Sequence, residues 1–180
     1  MNHFKRAKKN AKGFTLMELL VVVSIMVILA GLTLGVMSYV NQKQAMEQAK
    51  IQLGLLELAL EDYNSEKGEY PANTRSTGTR GSDEIHRALF PMEDDDAKVY
   101  LTELDPLNDS QGWLSGSGND WQILDPWGEE YRYRTNTATR INAVNPGFDL
   151  WSCGPDGTTR VSRGQYDPEH EDNLDDIRLW

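Results

Sequence analysis

One acid stands almost alone at the start of a long apolar run: Glu18 in "GFTLMELLVVVSIMVILAG", residues 13–31. A carboxylate inside a membrane costs about 2.5–3.5 kcal/mol on insertion scales, so it marks either a partner or a place within reach of the headgroups. The partner chemistry requires is a cation in the same apolar phase. Gly13-Phe14 has the form of a cleavage site: a cut there removes the basic tail and leaves a new amine on Phe14, which in a neighbouring copy could neutralise Glu18. A second group of acids lies near the C-terminus. Asp156 sits on a glycine-flanked turn, and Asp175 and Asp176 return to it after a loop. Carboxylates grouped in this way are oxygen donors for a hard cation, which gathers six to eight such atoms at about 2.3–2.6 Å.

The elements that position these residues follow from hydrophobic patterning. Residues 1–13 hold five cations (Lys5, Arg6, Lys8, Lys9, Lys12) and no acid. Leu19 to Val40 is a run of 22 residues without a charge, which as a helix covers roughly 33 Å and is long enough for a hydrocarbon core. It is too long for a secretory signal, and no A-x-A-like site follows it. The cations on its N-terminal side keep the tail cytoplasmic and carry the rest of the chain across. The helix continues beyond the membrane. Ala45, Ala49, Leu53, Leu56, Leu60 and Tyr63 recur at spacings of three and four, one apolar face of an amphipathic helix. No proline interrupts 14–66, and Gly68 is a suitable stop, giving a helix of roughly 75–80 Å. Gly31 and Gly35 are read as sites of close helix packing in the apolar stretch.

After "GEYP" the composition shifts. Residues 72–120 are rich in Thr, Ser, Gly, Asn and Asp, with one short helix expected over 83–90. "MEDDDAK" reads as a solvated acidic loop, with a weak cation site as the alternative, and "SGSGNDW" as a turn or flexible connection. His86 and His170 have no Cys or His at zinc spacing and are expected on the surface. The last third reads as strands: 131–135 after the turn "DPWG", 148–153 before the turn "GPDG", and the closing "DDIRLW". Three short antiparallel strands on the second half of a long helix make an α+β fold.

Together these residues carry a resemblance. "KGFTLMELLVVVSIMVILAGL" resembles the class III signal of type IV pilins and the pseudopilins of type II secretion. "GEYP", "DPWG", "FDLWSCGPDG" and "DDI", in that order, resemble the major (G-type) pseudopilins. The likeness covers 1–70 and 121–180, and 72–120 matches poorly. It implies a leader of residues 1–13 removed by a prepilin peptidase after Gly13, N-methylation of Phe14, and a pilin-like fold. The chain then divides into a transmembrane and assembly helix (14–40), its amphipathic continuation (41–67), a variable region (68–120) and a β-sheet with a calcium-binding loop (121–180). Glu18 becomes the assembly contact. The Ca²⁺ ligands implied are Asp156, Asp175 and Asp176, with the backbone carbonyls of Cys153 and Ile177 as additions. The loop 158–173 is longer than the resemblance leads one to expect, and its acids Asp167, Glu169, Glu171 and Asp172 could replace or add ligands. It contains no EF-hand.

The function implied is a structural subunit that polymerises with copies of itself into a periplasmic filament, a piston or plug for protein secretion. Its partners would be minor pseudopilins, the inner-membrane assembly platform, the prepilin peptidase and, before assembly, membrane lipid. A type IV pilus subunit is the alternative, but it usually pins its C-terminal loop with a disulfide, which the single Cys153 forbids. A membrane-anchored calcium-binding protein that never polymerises is another. Beyond residue 13 there remain 13 Lys+Arg against 28 Asp+Glu, which argues against a nucleic-acid partner. No phosphate loop, H-E-x-x-H or nucleophile elbow is present, so no enzyme is expected.

Overall fold

The computed structural model describes residues 13–73, 81–94, 96–109, 111–136, 143–162 and 165–180. The leader, apart from Gly13, lies outside the described residues. The chain divides into two units, Met1–Asn41 and Gln42–Trp180. One helix, α1 (Leu16–Lys67), begins in the first and ends in the second.

In the first unit α1 exposes its apolar side chains, among them Leu19, Ile25 and Ile28. The Ser24 hydroxyl satisfies itself by donating to the Leu20 carbonyl at 2.8 Å, one turn back. Among the described residues no helix is long and apolar enough to cross a membrane. The span expected over 19–40 includes residues 33–36 and 38, whose side chains lie outside the described set.

The second unit is α+β. The expected apolar face of α1 is the one it buries: Ala49, Leu53, Leu56 and Leu60 are sealed from solvent, with Ala45 and Tyr63 half-buried at either end. Each sealed leucine is worth about 1.5–3 kcal/mol over exposure. The helix stops at Gly68, whose N–H still reaches the Asn64 carbonyl. The strands are β1 (Leu114–Ser117), β2 (Asp120–Ile123), β3 (Arg132–Thr135), β4 (Phe148–Ser152), β5 (Val161–Ser162), β6 (Gln165–Tyr166) and β7 (Ile177–Arg178). They form an antiparallel sheet β3-β4-β7 and two hairpins, β1-β2 and β5-β6. The sheet contains the three strands expected from the last third of the sequence. Tyr133, Leu150 and Ile177 of the sheet, with Tyr131 just before β3, share one core with α1. "GEYP" is tied to this sheet, since Tyr133 donates to the Pro71 carbonyl and Tyr70 packs edge-on against Phe148.

One expectation is corrected and two segments are more ordered than their composition suggests. Of the two readings of "SGSGNDW", the turn holds: it closes the β1-β2 hairpin, with Ser117 opposite Asp120 across the Gly118-Asn119 turn. The loop 158–173 holds its own small hairpin and a 3₁₀ turn (Glu171–Asn173). His86 is not on the surface. It lies on the inner face of α2 (Ser82–Leu89), is 1% exposed, and its Nε2 pairs with the Leu104 carbonyl at 3.0 Å. Burial holds its pKa below the usual histidine value, so the ring is a neutral core residue. The expected acidic loop at 92–98 is exposed at Glu93, Asp94 and Asp96, and Lys98 anchors its end to Asp62 and Glu66 of α1.

Candidate functional site

At the N-terminus, Gly13, Phe14 and Thr15 precede the helix, and Phe14 is exposed. Glu18 is engaged within its own chain. Its Oε2 accepts from both Thr15 N and Thr15 Oγ1 at 2.9 Å, and Thr15 Oγ1 accepts from Glu18 N at 3.2 Å. This is a reciprocal capping box, which satisfies backbone donors that the first turn leaves unpaired. The T-x-x-E spacing in "TLME" is the sequence signal for it.

The C-terminal acids are brought together by strand pairing. Ser152 of β4 lies opposite Ile177 of β7, so the residues just after β4 and just before β7 must be neighbours. They meet at Gly154, whose φ of 68° is left-handed and where a Cβ would collide with the Asp175 carbonyl and lie 2.9 Å from its Oδ2. The Asp156 N–H then donates to Asp175 Oδ2 at 3.2 Å. Asp156 itself accepts from Thr158 N at 2.7 Å and Thr158 Oγ1 at 2.9 Å, which closes the turn.

Asp176 is the most perturbed acid. Its Oδ2 accepts from Tyr166 OH at 2.7 Å and Thr159 Oγ1 at 2.8 Å. Its Oδ1 is buried and makes no hydrogen bond among the described residues. Burial first, and then the neighbouring charges of Asp175 and Asp156, raise its pKa to about 6 against the opposing help of those two hydroxyls. Asn173, 1% exposed, holds the loop together: it accepts from Arg160 N and donates to the carbonyls of Arg160 and Asp167.

Among the described residues no group of three or more His, Cys, Asp and Glu side chains is placed to hold a metal ion. Any shell around a cation here would therefore draw on backbone carbonyls and water as well, as calcium does. The donor chemistry fits in one specific respect, because Asp176 Oδ1 is a sealed carboxylate oxygen without a donor, beside two further carboxylates. Cys153 has only its carbonyl to offer. Its thiol is buried, accepts from Arg132 Nε at 3.1 Å and is pushed up to about 11 by burial, so it stays protonated. The loop acids Asp167, Glu169, Glu171 and Asp172 make no hydrogen bond or ion pair with Asp156, Asp175 or Asp176 among the described residues.

Sequence reasoning missed the residues that frame this site: Thr159, Tyr166, Asn173, Asp125 and Ser152. "DPWG" was legible as a turn, and Asp125 does cap it, accepting from Trp127 N and Glu129 N through Oδ1. Its Oδ2, however, accepts from Ser152 Oγ at the end of β4. No local pattern announces that bond.

The helix start with its Phe14, Thr15 and Glu18 lies within a stretch similar to a known motif. Residues 8–34 match the prokaryotic N-terminal methylation motif. The chain is also similar to "Type II secretion system core protein G" of Escherichia coli K12, 28% identical over 156 residues, which is 84% of this chain and 87% of that protein. It is equally similar to the protein of that name from Dickeya chrysanthemi, 28% over 155 residues, 83% of this chain and 81% of the relative. The Pectobacterium carotovorum protein is 25% identical over 161 residues. No solved structure matches the chain.

Proposed function

We propose that this chain is a structural pseudopilin subunit of a type II secretion machine. It is made as a precursor, cut after Gly13 by a prepilin peptidase and methylated on Phe14. The apolar part of α1 holds it in the inner membrane, with residues beyond 41 in the periplasm. Copies then polymerise into a periplasmic pseudopilus that acts as piston or plug, helped by minor pseudopilins and the inner-membrane platform. The role is structural, not catalytic. The observation that supports this reading is the methylation motif over 8–34, heading a chain similar over most of its length to core protein G.

In this reading Glu18 has two successive partners. Before assembly its carboxylate serves its own Thr15; in the filament it meets the Phe14 amine of the next copy. Calcium would be held by Asp156, Asp175 and Asp176 with the carbonyls of Cys153 and Ile177. Bound there, it supplies positive charge that offsets the mutual repulsion of the three acids and ties the end of β4 to the start of β7.

The test is filament formation in cells carrying the rest of the secretion machinery, with wild-type chain and Glu18→Ala compared by electron microscopy of sheared fibres. Wild type is expected to assemble and the variant to remain in the membrane. Equal assembly by both would remove Glu18 from the mechanism; no assembly by wild type would overturn the filament reading itself.

A further inference from the structure

In the second unit α1 buries Ala49, Leu53, Leu56 and Leu60 and leaves another apolar stripe on its far side. Ile51, Leu55 and Leu58 recur at i, i+4 and i+7, which puts them on one side of the helix. Ile51 is 65% exposed, Leu58 is 70% exposed, and Leu55 is only half-buried. Single apolar side chains scattered on a surface mean little, but a periodic set rimmed by charge marks a place of contact. The rim here is Glu47, Lys50, Glu57 and Glu61, all exposed.

Gly54 lies in the middle of this stripe, three residues after Ile51 and four before Leu58. Glycine is the least favourable helix residue after proline, so its place inside α1 needs a reason. The fold of the chain supplies none. Gly54 needs no left-handed backbone, and a Cβ added to it would meet nothing within 4 Å among the described residues. What a bare Cα provides is a notch between two leucine-sized knobs, and side chains of one helix pack into such grooves of another.

Copies anchored in one membrane through the same end of α1 run parallel, so the stripe of one meets the stripe of the next, displaced along the axis. The sequence matches itself at a displacement of four residues, about 6 Å along a helix. Ile51 of one copy then falls beside Leu55 of the other, Gly54 beside Leu58, Gln44 beside Gln48, and Lys43 beside Glu47. Apolar meets apolar, notch meets knob, and cation meets acid. The same four residues separate Phe14 from Glu18, so the two contacts ask for one displacement. Between 43 and 61 the one like-charged pair is Glu57 with Glu61, and Glu61 is drawn aside to the Tyr70 hydroxyl at 2.9 Å. Glu47 holds Lys50 of its own helix at 3.1 Å, but both side chains are more than half exposed, and such a surface pair is weak enough to be exchanged. We infer that residues 51–58 of α1 are a contact face between copies of this chain, with Leu58 of one copy seated in the notch at Gly54 of another. This rests on the filament reading and names a surface that the filament uses beyond the Glu18 contact.

The test co-expresses two full-length chains, one Gly54→Cys and one Leu58→Cys, in cells carrying the rest of the secretion machinery. Both positions are exposed, so neither change disturbs the core, and the native Cys153 is buried. A disulfide-linked dimer is expected from the mixed pair and is lost when either variant is expressed alone. Gly54→Leu supplies a second readout. Leucine favours a helix over glycine and the position opens to solvent, so the thermal midpoint of the chain should rise while its filament yield falls. A role confined to the single chain would not give those opposed signs. No dimer from the mixed pair, in cells where wild type forms filaments, overturns the inference and leaves the filament reading standing. So does a Gly54→Leu chain that assembles like wild type. A disulfide adduct of any other mass assigns the stripe to a different protein and also overturns it. Wild type that forms no filaments removes the filament reading, and this face with it.

Discussion

Asp125 accepts the Ser152 hydroxyl at 2.5 Å across 27 residues of chain, and Ser152 Oγ in turn accepts from Gly154 N at 3.0 Å. Two motifs that are separate in sequence, "DPWG" and "SCGPDG", are thereby one structural unit. The turn carrying Trp127 and the turn carrying Asp156 are braced against the same carboxylate, which is 5% exposed. Burial raises the Asp125 pKa even though three donors favour its charge.

If this clasp joins the two turns, its members are coupled. Asp125→Ala strands Ser152 and two backbone N–H groups, with an expected loss of about 2–4 kcal/mol, against about 1–2 for Ser152→Ala. A double-mutant cycle read by urea unfolding should give a coupling above about 1 kcal/mol. Additive losses would mean the two residues act independently.

Gly154 and Gly157 share a φ of 68° but differ in surroundings. A Cβ at Gly154 meets the Asp175 backbone, whereas one at Gly157 meets the flexible Glu129 side chain at 3.2 Å. Gly157→Ala should therefore cost about 1–2 kcal/mol, the ordinary left-handed penalty. Gly154→Ala should cost more, about 3 kcal/mol or above, because backbone must move. Equal unfolding midpoints for the two would contradict the close approach of the two acidic segments.

Asp176 gives the domain a pH dependence with a defined sign. Its folded pKa, about 6, exceeds the ordinary value of 3.8, so the native state holds the extra proton between those limits. The stability this contributes is fully present below the unfolded pKa and is lost as pH rises through about 6. Without calcium, the thermal midpoint of wild type relative to Asp176→Asn should fall between pH 4 and pH 7. Calcium bound at the site should oppose that fall, and at about 100 times its Kd would add roughly 2.7 kcal/mol. A wild-type curve parallel to that of the variant, with and without calcium, would mean that Asp176 neither titrates in this range nor holds the ion.

The capping box separates two roles of Glu18. Thr15→Ala removes the cap and should cost about 1 kcal/mol of helix stability at the N-terminus. Glu18→Gln keeps a capping side chain, since glutamine serves at that position, but deletes the charge. Amide exchange should therefore report fraying in Thr15→Ala and an intact first turn in Glu18→Gln. If the charge is the assembly contact, Glu18→Gln stays unassembled despite its intact cap. Normal filaments from Glu18→Gln would assign the residue to capping alone.

The sequence by itself determined whatever is written in local periodicity and local hydrogen bonding. The spacing of Ala49, Leu53, Leu56 and Leu60 names the buried face of α1, because residues three and four apart share a side of any helix. "DPWG" and "GPDG" name turns because each closes within four residues, Gly128 N donating to the Asp125 carbonyl and Gly157 N to the Gly154 carbonyl. The Asp175-Asp176 pair was legible as two adjacent carboxylates from residue types alone. Only tertiary structure decided what those elements meet. The pairing of Ser152 with Ile177 sets Asp156 against Asp175, and a one-residue slip would turn every side chain of β7 to the other face. Packing of α2 on β2 and β3 buried His86, and chain separated by 27 residues supplied Ser152 to Asp125. Such contacts depend on where whole elements come to rest. That is fixed by burying the combined apolar face of α1 and the sheet, and no short stretch of sequence carries it.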